Sequence, residues 1–282
     1  MKQDNFDKGA WAAKKKAERQ RVFAMVEQAT QQLSDPAKLW EYLTIQQRFD
    51  RYTVSNALLV AAQCPTATRL ADYETWAQRG ISVCRGAQSI SILEPGKSYN
   101  RADGSVGRSF NIKHLFDIGQ TNAPQTSPAK PDPKTLARAI VSSSPVRVRA
   151  VDSPGVFVAR YDPAEKELRV ARHRTPQQLC TGVLTAIVDA RMDTELHDPP
   201  ADPQANRDLA LFMLCQRYGL PMQKPELSDR QKALDAKALR GELETVRRLT
   251  SGCMAAVEKQ LAHLRQAEKK EKARIPKKAR IL

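Results

Sequence analysis

Residues 51–121 hold the pattern that most restricts how this chain can fold. Apolar residues recur at helical spacing through RYTVSNALLVAAQCP, which begins at Arg51. Two later runs, residues 89–93 and 109–116, are apolar or alternating, as strands are. The polar, glycine-containing residues 96–107 between them predict a hairpin loop. A helix followed by a β-hairpin predicts a small α+β domain.

The pattern predicts a short helix carrying Trp76 between the first helix and the strands. We expect Gly80 to end it, because glycine adopts the left-handed conformation that often closes a helix. For Trp76 we favour packing in the core over exposure at the surface.

The positive charge of the chain indicates the kind of partner it binds. The 282 residues carry a formal net charge of +15, with an isoelectric point near 9.8. Such an excess favours polyanionic partners, and nucleic acid first. Acidic lipid ranks lower, because no basic helix with a strong, bulky apolar face is visible. The alternative is a basic surface that only keeps the protein in solution.

The sequence lacks the signatures of several protein classes. No run approaches the ~20 apolar residues that span a bilayer. The N-terminus has no apolar core, so we expect a cytoplasmic protein without a membrane partner. Five dispersed cysteines without a CxxC pair predict reduced thiols. Neither a P-loop nor a GxSxG, kinase or Rossmann fingerprint is present, and no cofactor is predicted.

Cations and aromatic rings alternate through residues 48–113. A single-stranded nucleic acid needs cations for its phosphates and flat rings for its bases. The polar segment around Tyr99 is the strongest candidate, because its ring is expected to be exposed between two cations. The predicted binding residues are Arg51, Tyr52, Arg79, Arg85, Lys97, Tyr99, Arg101 and Lys113.

An ordered set of residues within 35–121 matches a family pattern. An asparagine precedes a double-leucine helix, followed by Thr-Trp, a glycine, a basic-Gly pair and a strand ending in Phe-Asp. These residues are Asn56, Leu58, Leu59, Thr75, Trp76, Gly80, Arg85, Gly86, Phe116 and Asp117. The segment resembles the N-terminal single-stranded-DNA-binding domain of ArdC-type antirestriction proteins. The resemblance implies a protein of a plasmid or integrative element, acting in antirestriction or DNA transfer. Residues 87–89 depart from the family pattern.

Two segments flank this predicted domain. Residues 1–34 predict a basic amphipathic helix, whose lysines and arginines either face solvent or contact phosphate. Residues 122–133 belong to a proline-rich stretch that predicts an extended linker.

Residues 134–225 predict a second domain of helices and short strands. The hairpin YDPAEKELRV, the helix after TPQQL and the helix DLALFMLCQRYGLP resemble a zincin-like metallopeptidase domain. An active zincin presents H-E-x-x-H, with two histidines on zinc and a glutamate that polarises water. The matching segment here runs from Thr185 to Asp189 and has neither the histidines nor the glutamate. The resemblance therefore implies a degenerate, non-catalytic domain that binds no metal; an unrelated small α+β domain is the alternative.

Residues 226–264 have a helical pattern and residues 265–282 form a basic tail. The apolar face of this helix either packs on the preceding domain or binds a protein partner, including a second copy. The predicted fold is thus α+β, with two small domains and a long C-terminal helix.

The leading hypothesis is a single-stranded-DNA-binding protein of a mobile genetic element, and not an enzyme. Two other hypotheses stay open. One is a metal-dependent hydrolase with non-standard carboxylate ligands such as Asp189 and Asp208. The other is an inhibitor that binds protein and owes its charge to solubility.

Overall fold

A computed structural model describes residues 8–124, 130–152 and 155–274. The chain divides into two compact units. The first comprises Met1–Ser127 and Gln231–Arg240, and the second comprises Pro128–Arg230 and Gly241–Leu282. The predicted α+β class is confirmed, with small sheets and a long C-terminal helix.

The N-terminal part of the first unit contains the helices α1 (Lys8–Gln31), α2 (Pro36–Arg48), α3 (Val54–Gln63) and α4 (Tyr73–Gln78). A 3₁₀ turn, Gln32–Ser34, joins α1 to α2. The side chains of Asp35, Thr53 and Asp72 accept backbone N–H groups at the starts of α2, α3 and α4. Such caps satisfy donors that a helix start leaves unpaired, so the sequence itself defines these boundaries.

Three antiparallel strands form the first sheet in the order β1-β3-β2: β1 (Leu70–Ala71), β2 (Ile90–Asn100) and β3 (Val106–Asp117). The prediction of a loop over residues 96–107 was wrong, because the strands continue past a bulge between Pro95 and Ser98. Only residues 101–105 turn. The polar composition reflects two faces exposed to water, and a solvated strand needs no apolar residues.

The core of the first unit lies between α1, α3 and the face of the hairpin that carries Leu93. Val22, Val26, Leu59 and Leu93 form one buried cluster. Only the second half of α1 therefore has a buried face. Trp76 is fully buried, as expected, and its indole N–H donates to the carbonyl of Phe116 at 3.0 Å.

Two amides of α3 secure the outer edge of β2. The Asn56 side chain donates to the carbonyl of Leu93 at 2.9 Å and accepts from its N–H at 2.8 Å. Gln63 makes the same pair with Ser91, at 2.9 and 3.0 Å. The edge of a sheet leaves backbone groups unpaired. These amides take the place of a neighbouring strand and fix the base of the hairpin.

The proline-rich stretch begins within the first unit. Thr121 pairs with Val83, and the N–H of Asn122 donates to the carbonyl of Ser82 at 3.0 Å. Residues 125–129 of the predicted linker lie outside the described residues.

The second unit starts with α5 (Pro133–Ser142), followed by the strands β4 (Arg147–Val151), β5 (Ala159–Asp162) and β6 (Glu167–Ala171). In this sheet β6 is central, parallel to β4 and antiparallel to β5. Helices α6 (Pro176–Glu195) and α7 (Pro203–Tyr218) follow. Thr175 opens α6 with a capping box, and Gly219 closes α7 in the left-handed conformation, at φ 68°.

The C-terminal segment contains two helices, α8 (Asp229–Lys232) and α9 (Ala236–Arg274). The helical pattern predicted from residue 226 was wrong for residues 226–228 and 233–235, which are not helical. Asp235 starts the long helix, because its carboxylate accepts the N–H of Ala238 at 2.7 Å. Helix α9 also continues through residues 265–274 of the predicted tail, and residues 275–282 lie outside the described range.

Candidate nucleic-acid interface

Tyr99 lies near the tip of the β2–β3 hairpin and packs against a glycine. The register pairs Tyr99 with Gly107 on the neighbouring strand. A Cβ added at Gly107 would lie only 2.6 Å from Cζ of the tyrosine ring. The ring therefore lies directly over the glycine backbone, yet Tyr99 is 51% exposed. This arrangement leaves part of a supported aromatic ring open to solvent.

Two cations, Lys97 and Arg101, stand two residues before and after Tyr99 in the hairpin, and a third, Arg108, pairs with Ser98 and so lies on the opposite face of the sheet. Lys97, Arg101 and Arg108 are all exposed. Within the part of the chain that the structure describes, Lys97 and Arg108 form no ion pair. Arg101 donates to the Ser105 hydroxyl at 3.3 Å. The carboxylate at this tip, Asp103, accepts the hydroxyl and the N–H of Ser105, which lowers its pKa.

Lys113 occupies a different environment, nearer the base of the hairpin. Its ammonium group lies 3.2 Å from Asp72 and 3.6 Å from Glu94, and these carboxylates raise its pKa. Hydrogen bonds from Thr75, and then the lysine, lower the pKa of Asp72 to about 2. Two carboxylates therefore already balance the charge of Lys113.

Tyr52 is half-buried beside Phe49. The two rings stack with centroids 5.3 Å apart and planes inclined by 21°. Burial raises the pKa of the Tyr52 hydroxyl, and the positive charge of Lys113 opposes that rise. One face of the Tyr52 ring is thus already occupied by a neighbouring ring.

The remaining predicted residues are arginines in turns. Arg51 lies in the turn before α3, and Arg85 in the turn before β2; both are exposed. The guanidinium of Arg79 lies 5.5 Å from the centre of the Trp76 ring. The structure thus brings Lys97, Tyr99 and Arg101 together at the tip. Lys113 lies about 20 Å along β3 from Gly107, at the usual rise per strand residue.

Sequence reasoning missed Gly107 and did not select Arg108. The prediction placed Gly107 in a loop, and a loop gives no reason to expect a contact between Gly107 and Tyr99. Arg108 interrupts the alternation of residues 109–116, so no periodic signal extended the predicted strand to either residue. A bulge in β2 shifts the pairing by one residue, so the partners could not be read by counting.

Helix α1 and β3 also border a groove of about 340 Å³. Trp11, at 52% exposure, and Arg19 line it together with Lys15, whose ammonium pairs with Glu18 at 3.0 Å. Glu18 also lies 3.1 Å from the imidazole of His114. The groove combines an aromatic ring with cations, and sequence reasoning did not select Trp11.

The positions that the sequence analysis matched to zincin ligands make other contacts. Thr185 donates to the carbonyl of Thr181 in its own helix at 3.0 Å. Asp189 accepts the guanidinium N–H of Arg207, while burial raises the pKa of its carboxyl against the effect of that arginine. Asp208 accepts the amide of Gln204 at 3.0 Å. Among residues 8–124, 130–152 and 155–274, no three His, Cys, Asp or Glu side chains group as metal ligands would.

No helix within the described residues has both the length and the hydropathy needed to cross a bilayer. The described elements make the molecule an α+β protein of two units. The first unit carries an exposed hairpin of aromatic and basic side chains.

No protein-family model and no curated protein matches this sequence. Among solved structures, the chain is similar to the Mn(II)-bound crystal structure of the antirestriction ArdC protein from the R388 plasmid. The TM-score is 0.48 at 13% identity, over 79% of this chain and 98% of that one. For the metal-free structure of the same protein the values are 0.47, 13%, 85% and 98%. At this identity and TM-score, the similarity assigns neither a family nor an activity.

Proposed function

We propose that this protein binds single-stranded DNA through the tip of the β2–β3 hairpin. The observation that supports this most directly is the Tyr99 ring over Gly107, exposed to solvent and bordered by cations. Stacking of a base on an aromatic ring stabilises single-strand complexes by ~1–3 kcal/mol. A ring already packed on one side loses little freedom when a base stacks on it.

The cations have distinct roles in this proposal. Lys97 and Arg101 contact the phosphates next to the stacked base, and Arg108 adds positive charge on the opposite face of the hairpin. Arg51 and Arg85, both exposed, extend the path of the strand. Lys113 contributes less, because a phosphate has to compete with Asp72 and Glu94 for it. Arg79 contributes its positive charge to the electrostatic field of the surface, since its guanidinium already packs on the Trp76 ring. Tyr52 contributes to the shape of the surface, since its ring already packs on that of Phe49.

The stacking site favours single strands over duplex. In a duplex every base is paired and stacked, so its faces are not available to Tyr99 without unstacking. Duplex DNA would meet only the cations, as any basic surface would.

The setting that we propose comes from the sequence. The ordered motif of residues 35–121 resembles ArdC-type antirestriction domains, which supports the proposal that this protein belongs to a plasmid or integrative element. There it would hold single-stranded DNA during transfer or shield it from restriction. The second unit would act as a non-catalytic scaffold, because its zincin-like positions are Thr185, Asp189 and Asp208.

The test is fluorescence anisotropy with a labelled single-stranded oligonucleotide, a salt titration and competition by the matching duplex. We expect salt-sensitive binding that the duplex competes poorly, and a marked loss in Lys97→Ala/Arg101→Ala. The matched control is Lys134→Ala/Arg138→Ala, two exposed cations of α5. Equal competition by the duplex would indicate a generic basic surface. Absence of binding at low salt would leave the protein-binding inhibitor as the hypothesis to pursue.

A further inference from the structure

Three arginines lie in register across the sheet of the second unit. Arg149 on β4 is paired with Arg169 on β6, and Arg169 is paired in turn with Arg160 on β5. Residues paired in this way share one face of a sheet. Neighbouring strands are about 4.8 Å apart, so the row spans about 10 Å. We call these three residues the arginine row.

The other face of this sheet supplies the core. Leu168 and Val170 alternate with Arg169 and are buried. Tyr161 is also buried, and its hydroxyl donates to Asp193 of α6 at 2.6 Å. Packing on this side involves none of the three arginines, so the apolar core of the sheet does not account for them.

Like charges placed opposite each other in a sheet destabilise it. Two carboxylates reduce that cost. Arg169 lies 2.7 Å from Asp162 and 3.2 Å from Glu167, while Arg149 lies 3.6 Å from Glu167. Asp162 and Glu167 are thus both engaged by the central arginine, and three arginines against two carboxylates leave one positive charge in excess.

The outer arginines are the accessible ones. The side chain of Arg149 is 61% exposed, and Arg160 is exposed as well. Within the described residues Arg160 forms no ion pair, and its guanidinium lies 5.6 Å from the centre of the Phe157 ring. Arg147, also exposed, continues the positive charge along β4.

We propose that the arginine row binds the phosphodiester backbone of a nucleic acid. A guanidinium presents paired N–H donors that match two phosphate oxygens, and a row of them suits a repeating anion. The charge that destabilises the empty sheet becomes favourable when phosphates lie against it. The second unit, proposed above only as a scaffold, would thus be a nucleic-acid-binding surface of its own.

The test uses the full chain and the variant Arg149→Ala/Arg160→Ala. Anisotropy is measured with a long oligothymidylate and with a duplex of equal length, over a series of salt concentrations. We expect severalfold weaker binding and a salt slope reduced by ~0.7 for each arginine on the single strand. The control is Lys134→Ala/Arg138→Ala, which removes the same charge from α5 of the same unit.

The same changes are also made in a Tyr99→Ala background, which separates this inference from the proposed function. A loss caused by the arginine pair in both backgrounds supports the arginine row, whether or not Tyr99 contributes. A loss with one oligonucleotide alone supports the row and identifies the strand form. An effect no larger than that of the control variant overturns it. The proposal is also overturned if Arg149→Ala/Arg160→Ala loses binding to anionic lipid vesicles while its oligonucleotide binding is unchanged.

The melting temperature is a second measurement, and together with binding it distinguishes a binding role for Arg160 from a structural role. Arg160→Thr removes one of the opposed charges and introduces a residue that favours strands. We expect it to leave the melting temperature unchanged or higher while it weakens binding. A lower melting temperature together with unchanged binding would make Arg160 a structural residue and contradict the proposal.

Discussion

At the residue scale, the proposed interface depends on one aromatic ring and the glycine beneath it. Sequence reasoning selected Tyr99 because it stands in a polar segment beside two cations. It could not select Gly107, because the contact between them depends on a bulge that shifts the register. A bulge is a property of the paired strands and has no simple sequence rule.

Tyr99→Ala is expected to weaken single-strand binding about tenfold, corresponding to the loss of one base stack. Tyr73→Ala is the matched control, since Tyr73 is an exposed tyrosine of α4 in the same unit. Anisotropy titrations of both variants check this. Equal effects of the two changes would contradict a specific role for Tyr99.

Gly107→Val is expected to weaken binding about as much as Tyr99→Ala does, because the new side chain displaces the ring. In a Tyr99→Ala background the same change should have no further effect. A double-mutant cycle measures this coupling. Valine favours strands more than glycine does, so lost stability would not explain the result. Additive effects of the two changes would show that Gly107 acts independently of the ring.

Asp72 provides a prediction on pH. Its folded-state pKa, about 2, lies below its ordinary value of 3.8. The carboxylate therefore stabilises the fold at and above pH 4, and this contribution is lost as the pH falls from about 4 to about 2. Asp72→Asn keeps a capping side chain but loses the charge opposite Lys113. Denaturant titrations should show the variant less stable at pH 7, with the difference disappearing near pH 2. A difference that persists at pH 2 would assign the effect to the cap.

At the element scale, caps made the helices predictable and solvent exposure obscured the strands. Asp35 and Thr175 begin helices with caps whose side chains bond to backbone groups only two or three residues further along the chain. The outer hairpin was predicted as a loop because its residues are polar, yet backbone pairing continues to Asn100 and Val106. Sequence polarity reports contact with water, and it does so equally for loops and for strands exposed on both faces.

Two glycines at helix positions should respond in opposite directions to alanine. Gly241 is exposed inside α9 with open space around its Cα, so Gly241→Ala should stabilise by about 0.5–1 kcal/mol. Gly219 has φ 68° at the end of α7, so Gly219→Ala should destabilise by about 1–2 kcal/mol. Chemical denaturation measures both. Destabilisation by Gly241→Ala would show that α9 is not helical there in solution.

At the scale of the whole molecule, the chain has a net charge of +15, and the two proposed binding surfaces belong to different units. The hairpin tip of the first unit presents cations around an aromatic ring. The arginine row of the second unit presents cations on a sheet. Both proposals predict steep salt dependence, and only the first predicts a preference for unpaired bases.

Metal ions provide a further prediction at this scale. Neither Mn(II), Zn(II) nor a chelator should change the melting temperature of protein purified without metal resin. The reason is that both candidate ligands already accept hydrogen bonds, Asp189 from Arg207 and Asp208 from Gln204. Thermal unfolding and elemental analysis check this. Stoichiometric bound metal would revive the hydrolase hypothesis.

The sequence alone determined the fold class, the helix starts and the cationic, aromatic character of residues 48–113, because caps, periodicity and composition are local properties of the chain. Tertiary structure decided which residues meet. The Asn56 and Gln63 amides along the edge of β2, Gly107 beneath Tyr99 and the alignment of Arg149, Arg160 and Arg169 all depend on pairing between distant segments. Register is fixed by the packing of whole strands, so it cannot be read from any single segment.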